Sequence, residues 1–383
     1  MDLNAGPRFA NFDAGAFLRD HWQKQPLLIR NPWDTWTNPL DPDELAGLAC
    51  EDAVESRLIT RAQTRLELEE GPLPEERFDQ LGKAPWTLLV EAVDHHVPAV
   101  AALLEAFRFI PNWRIDDVMV SVAADGGGVG PHFDQYDVFL IQGLGRRRWQ
   151  LGAICNAATA LLPHDGLRLL ADFVPTAEWV LEPGDMLYVP PLFAHNGVAL
   201  GDNCMTYSIG LRAPSRSELI AGWGEHQLDR LDDHDRYVDP DLAVPANPGE
   251  ISAAALDRLH AMVTEQLADR RAFARWFGGF TSAPKYPEID WSSDDPVTAQ
   301  DVREMIAARA VMARNPAHRF AFWRDGEDAL VLCVDGECFE CEGALAGFAE
   351  RLCAHDRLAL GGEDHALDLL VTLLNRGSLA RVS

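Results

Sequence analysis

The sequence predicts an α+β protein: an antiparallel β-barrel or sandwich flanked by helices, then a helical segment, then a small winged-helix-like module. Three observations predict it. Up to about residue 212 the chain is divided into short β-rich runs that end at Gly, Pro or Asp, the spacing of an all-β body. Beyond Pro214 the apolar residues recur every three to four positions, the period of a helix face. In the last hundred residues, helical patterns flank a hairpin built on Asp335-Gly336, a dipeptide suited to a two-residue turn.

Taken in order, the first hundred residues offer two helix candidates, Asp41–Cys50 and Trp86–His95. The strands then predicted are Val118–Val122, Asp137–Gln142 (ended by Gly143 and Gly145), Arg148–Leu151 (ended by Gly152), Trp179–Leu181, Met186–Val189 and Cys204–Leu211. They do not alternate with helices, which argues against βαβ units and for antiparallel pairing. Residues 213–285 read as helical, and in Ile251–Phe280 one face carries Leu256, Leu259, Met262, Val263 and Leu267, extended by Phe273, Trp276, Phe277 and Phe280. Ala283–Pro296, with three prolines, reads as a linker. Residues 286–383 then give a helix (Thr298–Met312), the hairpin strands Ala329–Val334 and Glu337–Glu342, and helices at Leu345–His355 and Ala366–Asn375.

Composition narrows the function. The 383 residues include 33 basic and 60 acidic side chains, a net charge of −27, with 47% apolar residues. That is enough apolar material for a core and excludes a disordered chain. The longest apolar stretches, such as Ala99–Leu104, fall far short of the ~18–20 residues of a membrane helix. Met1–Asp20 shows no secretory leader pattern, and seven scattered cysteines make no disulfide framework; a reducing, cytoplasmic setting is expected. The acidity argues against a phosphate-backbone ligand and for a small molecule or a basic partner. From Tyr286 onward there are 9 basic and 18 acidic residues, the wrong sign for a winged helix that grips DNA.

The chemistry concentrates in Gly126–Trp149, which contains His132-Phe-Asp134-Gln-Tyr136-Asp and Gly145-Arg-Arg-Arg-Trp149. Residues i and i+2 of a strand share a face, so His132 and Asp134 project together. Composition alone predicts about two His-x-acid pairs; this is the only one in the chain. A second His would complete the facial triad of a non-heme Fe(II) oxygenase, with positions left for cosubstrate and O₂. Glu182-Pro-Gly-Asp-Met-Leu-Tyr-Val-Pro-Pro-Leu-Phe-Ala-His195 offers it: a turn, a strand, and His195 at its exit, as in a double-stranded β-helix.

Together these motifs resemble the JmjC-type 2-oxoglutarate oxygenases. Within them the likeness is to the bacterial ribosomal oxygenases that hydroxylate an arginine of the sixteenth large-subunit ribosomal protein. It is dense from Asn112-Trp-Arg-Ile-Asp-Asp-Val-Met119 to Tyr207-Ser-Ile-Gly-Leu-Arg-Ala-Pro214 and touches Arg275-Trp-Phe-Gly278. The resemblance implies a catalytic JmjC domain over 1–212, a dimerisation segment over 213–285 and a winged-helix-like domain over 286–383. It implies Fe(II), 2-oxoglutarate and O₂ as cofactor and cosubstrates, with His132, Asp134 and His195 as metal ligands and catalytic centre. It implies Arg147, fifteen residues after His132, for the distal carboxylate of 2-oxoglutarate; the planar guanidinium fork suits that task, and strand alternation turns Arg147 inward and Arg146 and Arg148 outward. Ser121, Thr206 and Ser208 are the expected pocket hydroxyls, although the family usually has Asn where this chain has Thr206.

Asp117, Met119 and Ser121 share one strand face by the period of two. A carboxylate at Asp117 and a phenol at Tyr136 can hold a guanidinium, with Met119 along its stem; the resemblance points to the same arginine pocket. The competing reading is that Asp117 caps a turn and Tyr136 packs in the barrel. The expected partner is a basic ribosomal protein, with no nucleic acid and no membrane, and the enzyme is expected to be a homodimer. Two other functions stay open at this point: a non-catalytic cupin-like ligand sensor, and a JmjC oxygenase acting on another protein or a small molecule. Cys338 and Cys341 form a Cys-x-x-Cys, but on a strand i and i+3 face opposite ways, which favours free thiols over zinc.

Overall fold

In the computed structural model, residues 7–62, 65–164, 166–232 and 234–382 are described; the first six positions of Met1–Asp20, where no leader pattern is expected, lie outside them. Nine strands precede residue 212: β1 (Leu27–Ile29), β2 (Ser56–Ala62), β3 (Arg65–Glu70), β4 (Trp86–Val90), β5 (Ile115–Ala123), β6 (Asp137–Ile154), β7 (Ala177–Leu181), β8 (Met186–Val189) and β9 (Phe193–Leu211). Their hydrogen-bonded order is β1-β8-β6-β9-β5-β4-β2-β3, with β7 on β6, and all pairings are antiparallel. The path does not close on itself. The result is a cupin-like β-sandwich with flanking helices rather than a sealed barrel.

Two strands do most of the organising. The runs expected as Asp137–Gln142 and Arg148–Leu151 are one strand, β6, and Cys204–Leu211 is the second half of β9. Gly143 and Gly145 bend β6 instead of ending it. The register against β9 shifts on either side of Leu144, and Gly145 takes a φ of +62°, which a side chain resists. A Cβ at Gly143 would sit 2.5 Å from the Tyr207 ring, so the bend also needs a glycine for space. Each long strand thereby serves both layers of the sandwich.

One face of the sheet packs against the N-terminal helices. Asp13 caps the helix Ala14–Asp20 by accepting from the Ala16 amide, and its Phe17 lies 4.8 Å from the Tyr188 ring and 5.3 Å from Phe139. Ile141, Tyr207 and Ile209 join this main core. Val138, Leu140, Trp149, Leu151, Leu187 and Val189 form a second, separate cluster. The helix expected at Asp41–Cys50 is Pro42–Leu48, held by a capping box from Asp41 and Glu44. The helix expected at Trp86–His95 is not one: Trp86–Val90 is β4, buried between β2 and β5, and only Val93–His96 makes a helical turn. A short apolar run buried on both faces carries no period by which strand and helix can be told apart.

The chain divides into two compact units, Met1–Ala213 with Asn315–Ala317, and Pro214–Arg314 with His318–Ser383. The second unit opens with the helix Arg216–Leu228, capped by Ser215 and Glu218. The face expected over Ile251–Phe280 belongs to two helices, Ala253–Leu267 and Arg270–Ser282. Asp269 separates them because its carboxylate accepts from the Arg271 and Ala272 amides and starts a new helix. The helix expected at Thr298–Met312 stops at Ala307; Arg309 turns left-handed and Val311–Arg314 becomes β10. β11 (Phe320–Arg324), β12 (Ala329–Val334) and β13 (Glu337–Glu342) form one small sheet. β14 (Arg357–Ala359) and β15 (Leu379–Arg381) flank β10 in another. Helices Ala344–Ala354 and Leu367–Asn375 cover the core.

The cysteines depart from expectation. Cys333 and Cys338 are directly opposite in the β12–β13 hairpin and form a disulfide, while Cys341 and Cys353 are buried free thiols. The Cys-x-x-Cys spacing misdirects attention to Cys341; the pairing depends on the hairpin register, which counts outward from the Asp335-Gly336 turn.

Candidate active site

The Gly-rich segment leads into His132, and the exit of β8 leads into His195. Backbone hydrogen bonds in both directions, His132 N to His195 O at 3.0 Å and the reverse at 2.8 Å, clip the two together. Their rings are 4.3 Å apart. Asp134 completes the group, with an oxygen 3.5 Å from His195 Nε2; ligand atoms of all three residues lie within 4.8 Å of one another. Each imidazole directs Nδ1 at a backbone carbonyl, His132 at Gly130 (2.8 Å) and His195 at Phe193 (2.9 Å). Nδ1 must donate there, which leaves Nε2 as the lone-pair nitrogen. Burial first, then the neighbouring His132, push the His195 pKa down to about 4, so the ring is neutral and available as a ligand. Two imidazoles and a carboxylate converging in this way are a donor set for a divalent transition metal.

Further along β6, Arg147 is 4% exposed while Arg146 is exposed and Arg148 half-buried. Its Nε and one terminal nitrogen are buried without a hydrogen-bond partner among the described residues. A buried guanidinium left this way is costly unless an anion meets it. The fit to a dicarboxylic 2-oxo acid rests on that: a metal triad at one end, an unanswered cation at the other. Ser121, Thr206 and Ser208 are all buried nearby in the ladder, Ser121 opposite Thr206 and Met119 opposite Ser208. Thr206 Oγ1 is 3.3 Å from Gln142 Oε1, and the Gln142 amide is held by Leu144 and Met205 carbonyls.

Asp117 is buried, and its carboxylate accepts from the Ala92 amide at 2.9 Å. The turn-capping reading therefore describes one of its oxygens. Tyr136 leaves 44% of its surface open, yet its phenol is held well above its ordinary pKa. Local burial comes first among the causes, then the charges of Asp134, Glu91, Asp117 and Asp116. Of these carboxylates, Glu91 is paired with Arg57 and Asp116 with Arg212. Met119 lies half-buried against Ile59, Leu89, Leu167 and Leu169. Sequence reasoning missed Glu91, which nothing but the three-dimensional approach of β4 reveals. It also gave Trp149 no role, although that residue follows Arg147 by the inward-facing interval of two.

The comparisons with known proteins agree with this geometry. A JmjC domain matches residues 102–219 and a ROXA-like winged helix matches 265–380. The chain is 43% identical over 280 residues to the ribosomal protein uL16 3-hydroxylase of Escherichia coli, covering 73% of this chain and 74% of that protein. The chain belongs to the JmjC ribosomal oxygenases. A probable ribosomal oxygenase of Haemophilus influenzae is also 43% identical, over 54% of this chain and 51% of its own length. Among solved ribosomal oxygenases, E. coli YcfD superposes with a TM-score of 0.89 at 34% identity, covering 98% of this chain and all of that one. A structure of the same E. coli protein in complex with cobalt and 2-oxoglutarate superposes at 0.86, with 34% identity and the same coverage.

Proposed function

We propose that this ribosomal oxygenase is an Fe(II)- and 2-oxoglutarate-dependent hydroxylase of an arginine side chain in the large-subunit ribosomal protein uL16, acting at the β-carbon. The observation that carries it is the pairing of the converging His132–Asp134–His195 cluster with the unanswered Arg147 guanidinium inside one sandwich. His132, Asp134 and His195 would hold the iron, and bound iron supplies the redox centre at which O₂ and 2-oxoglutarate react to give succinate, CO₂ and a hydroxylated product. Arg147 fixes the distal carboxylate of the cosubstrate, with Ser121, Thr206 and Ser208 as the polar wall beside it. The sandwich keeps water from the reacting centre, and the strands hold the target C–H in place.

Asp117 and Tyr136, with Met119 beside them, would receive the substrate guanidinium. The carboxylates of Asp117 and Asp134 near Tyr136 favour a cation, and a −27 chain attracts a basic ribosomal protein from a distance. The C-terminal module, with 9 basic and 18 acidic residues, carries a net charge of the wrong sign for gripping nucleic acid. A ribosomal substrate places the enzyme in the cytoplasm, and among the described residues no helix is long and apolar enough to cross a membrane. Tandem mass spectrometry of uL16, incubated with and without the enzyme, tests the substrate: one arginine should gain the mass of one oxygen. If none does, the substrate is another protein or molecule while the oxygenase reading stands on cosubstrate turnover.

A homodimer is part of the same reading. Leu256, Leu259, Val263 and Leu267 lie exposed along the helix Ala253–Leu267, no residue of which is buried within the chain. A row of this kind marks an interface. Mass measurement in solution should give twice the 42.4 kDa chain mass; a monomer at micromolar concentration would contradict it.

A further inference from the structure

We infer that Trp149 is a positioning residue for the dicarboxylate cosubstrate, acting through its indole N–H and through the face on which Arg147 rests; this deepens the reading of the site given above. Trp149 is 5% exposed and its Nε1 is buried without a partner among the described residues. A buried indole N–H normally finds an acceptor. Here the unanswered donor lies beside the unanswered Arg147 guanidinium.

The indole also sits where the cosubstrate has to pass. Its ring centroid is 5.8 Å from the Arg147 guanidinium carbon and 6.0 Å from the His195 ring. A molecule that joins the metal ligands to Arg147 therefore runs along the indole. The fold makes room for the ring at this point. Trp149 pairs with Gly197 across β6 and β9, two residues on from His195, and a Cβ at Gly197 would come within 2.7 Å of the indole. Stacking under Arg147 orients the guanidinium fork, and the N–H adds a donor that a carboxylate or carbonyl oxygen of the cosubstrate accepts.

The test is calorimetric binding of 2-oxoglutarate to the Mn(II)-loaded full-length protein, wild type against Trp149→Phe and Trp149→Leu. Phe keeps the flat ring and removes the donor; Leu removes both. The affinity for 2-oxoglutarate should fall about tenfold or more in Trp149→Phe, the worth of a hydrogen bond to a charged group, and further in Trp149→Leu. Mn(II) affinity and the thermal midpoint of Trp149→Phe should match the wild type, which separates positioning from a merely structural role. Equal 2-oxoglutarate affinity in wild type and Trp149→Phe overturns the inference and leaves the site as proposed. Failure of the wild type itself to bind 2-oxoglutarate overturns the site reading, and this inference with it.

Discussion

Replacing His132 or Asp134 by alanine is expected to abolish iron-dependent turnover of 2-oxoglutarate, coupled and uncoupled alike. On the proposed assignment each residue supplies one of only three protein ligands, and among the described residues no other such group of three lies with its ligand atoms within 4.8 Å. Two ligands do not fix the geometry that a facial triad imposes. The fold should survive, because the two-way backbone clip between His132 and His195 uses main-chain atoms that alanine retains. Succinate release and metal titration, read together, check this. Full turnover in both variants would remove the assignment of the triad.

Asp117→Ala is expected to cripple peptide hydroxylation while leaving the slow uncoupled turnover of 2-oxoglutarate largely intact. Losing a buried, charge-assisted contact to a cationic side chain costs about 2–5 kcal/mol. The alanine variant has a second consequence, because Asp117 also accepts from the Ala92 amide. Leaving that buried N–H unpaired costs about 1–3 kcal/mol of stability. Asp117→Asn separates the two: it keeps an acceptor for Ala92 and removes the charge that would meet a guanidinium. Peptide hydroxylation should fall in both variants and the thermal midpoint chiefly in Asp117→Ala. A fully active Asp117→Asn would show that the residue is a turn cap and nothing more.

The legibility of this protein in its sequence follows from which interactions are local. The β-hairpin around Asp335-Gly336 and the capping boxes at Asp41 and Ser215 are short-range devices, and the first of these, with the helix that Asp41 caps, was readable as such. His132 and Asp134 are readable as a pair because a strand aligns i with i+2. His195 is sixty-three positions away from His132, and its place in the cluster was readable only through the ordered turn, strand and Pro-Pro exit before it. Elements fixed by tertiary burial were misread. Trp86–Val90 looks like a helix until β2 and β5 are seen on either side. Glu91 comes near Tyr136 for the same reason: β4 delivers it there, and no motif announces it. Gly143 and Gly145 looked like terminators because a bend and a stop use the same residue, and only the continuing ladder tells them apart.

That continuing ladder makes the site a measuring device. Arg147 pairs with Ala199 and Leu151 with His195 along the same two strands, so the anchor and the metal end are four residues apart, about 13 Å at strand rise. Hydrogen bonds between β6 and β9 hold that interval from both sides, and neither end can drift toward the other without breaking them. The reach of the Arg147 side chain and the length of the cosubstrate must together fill a fixed span. On the proposed assignment, a dicarboxylate longer or shorter by one methylene is expected to bind more weakly, because it cannot meet both ends in the same register. Chain length would then be read together with charge.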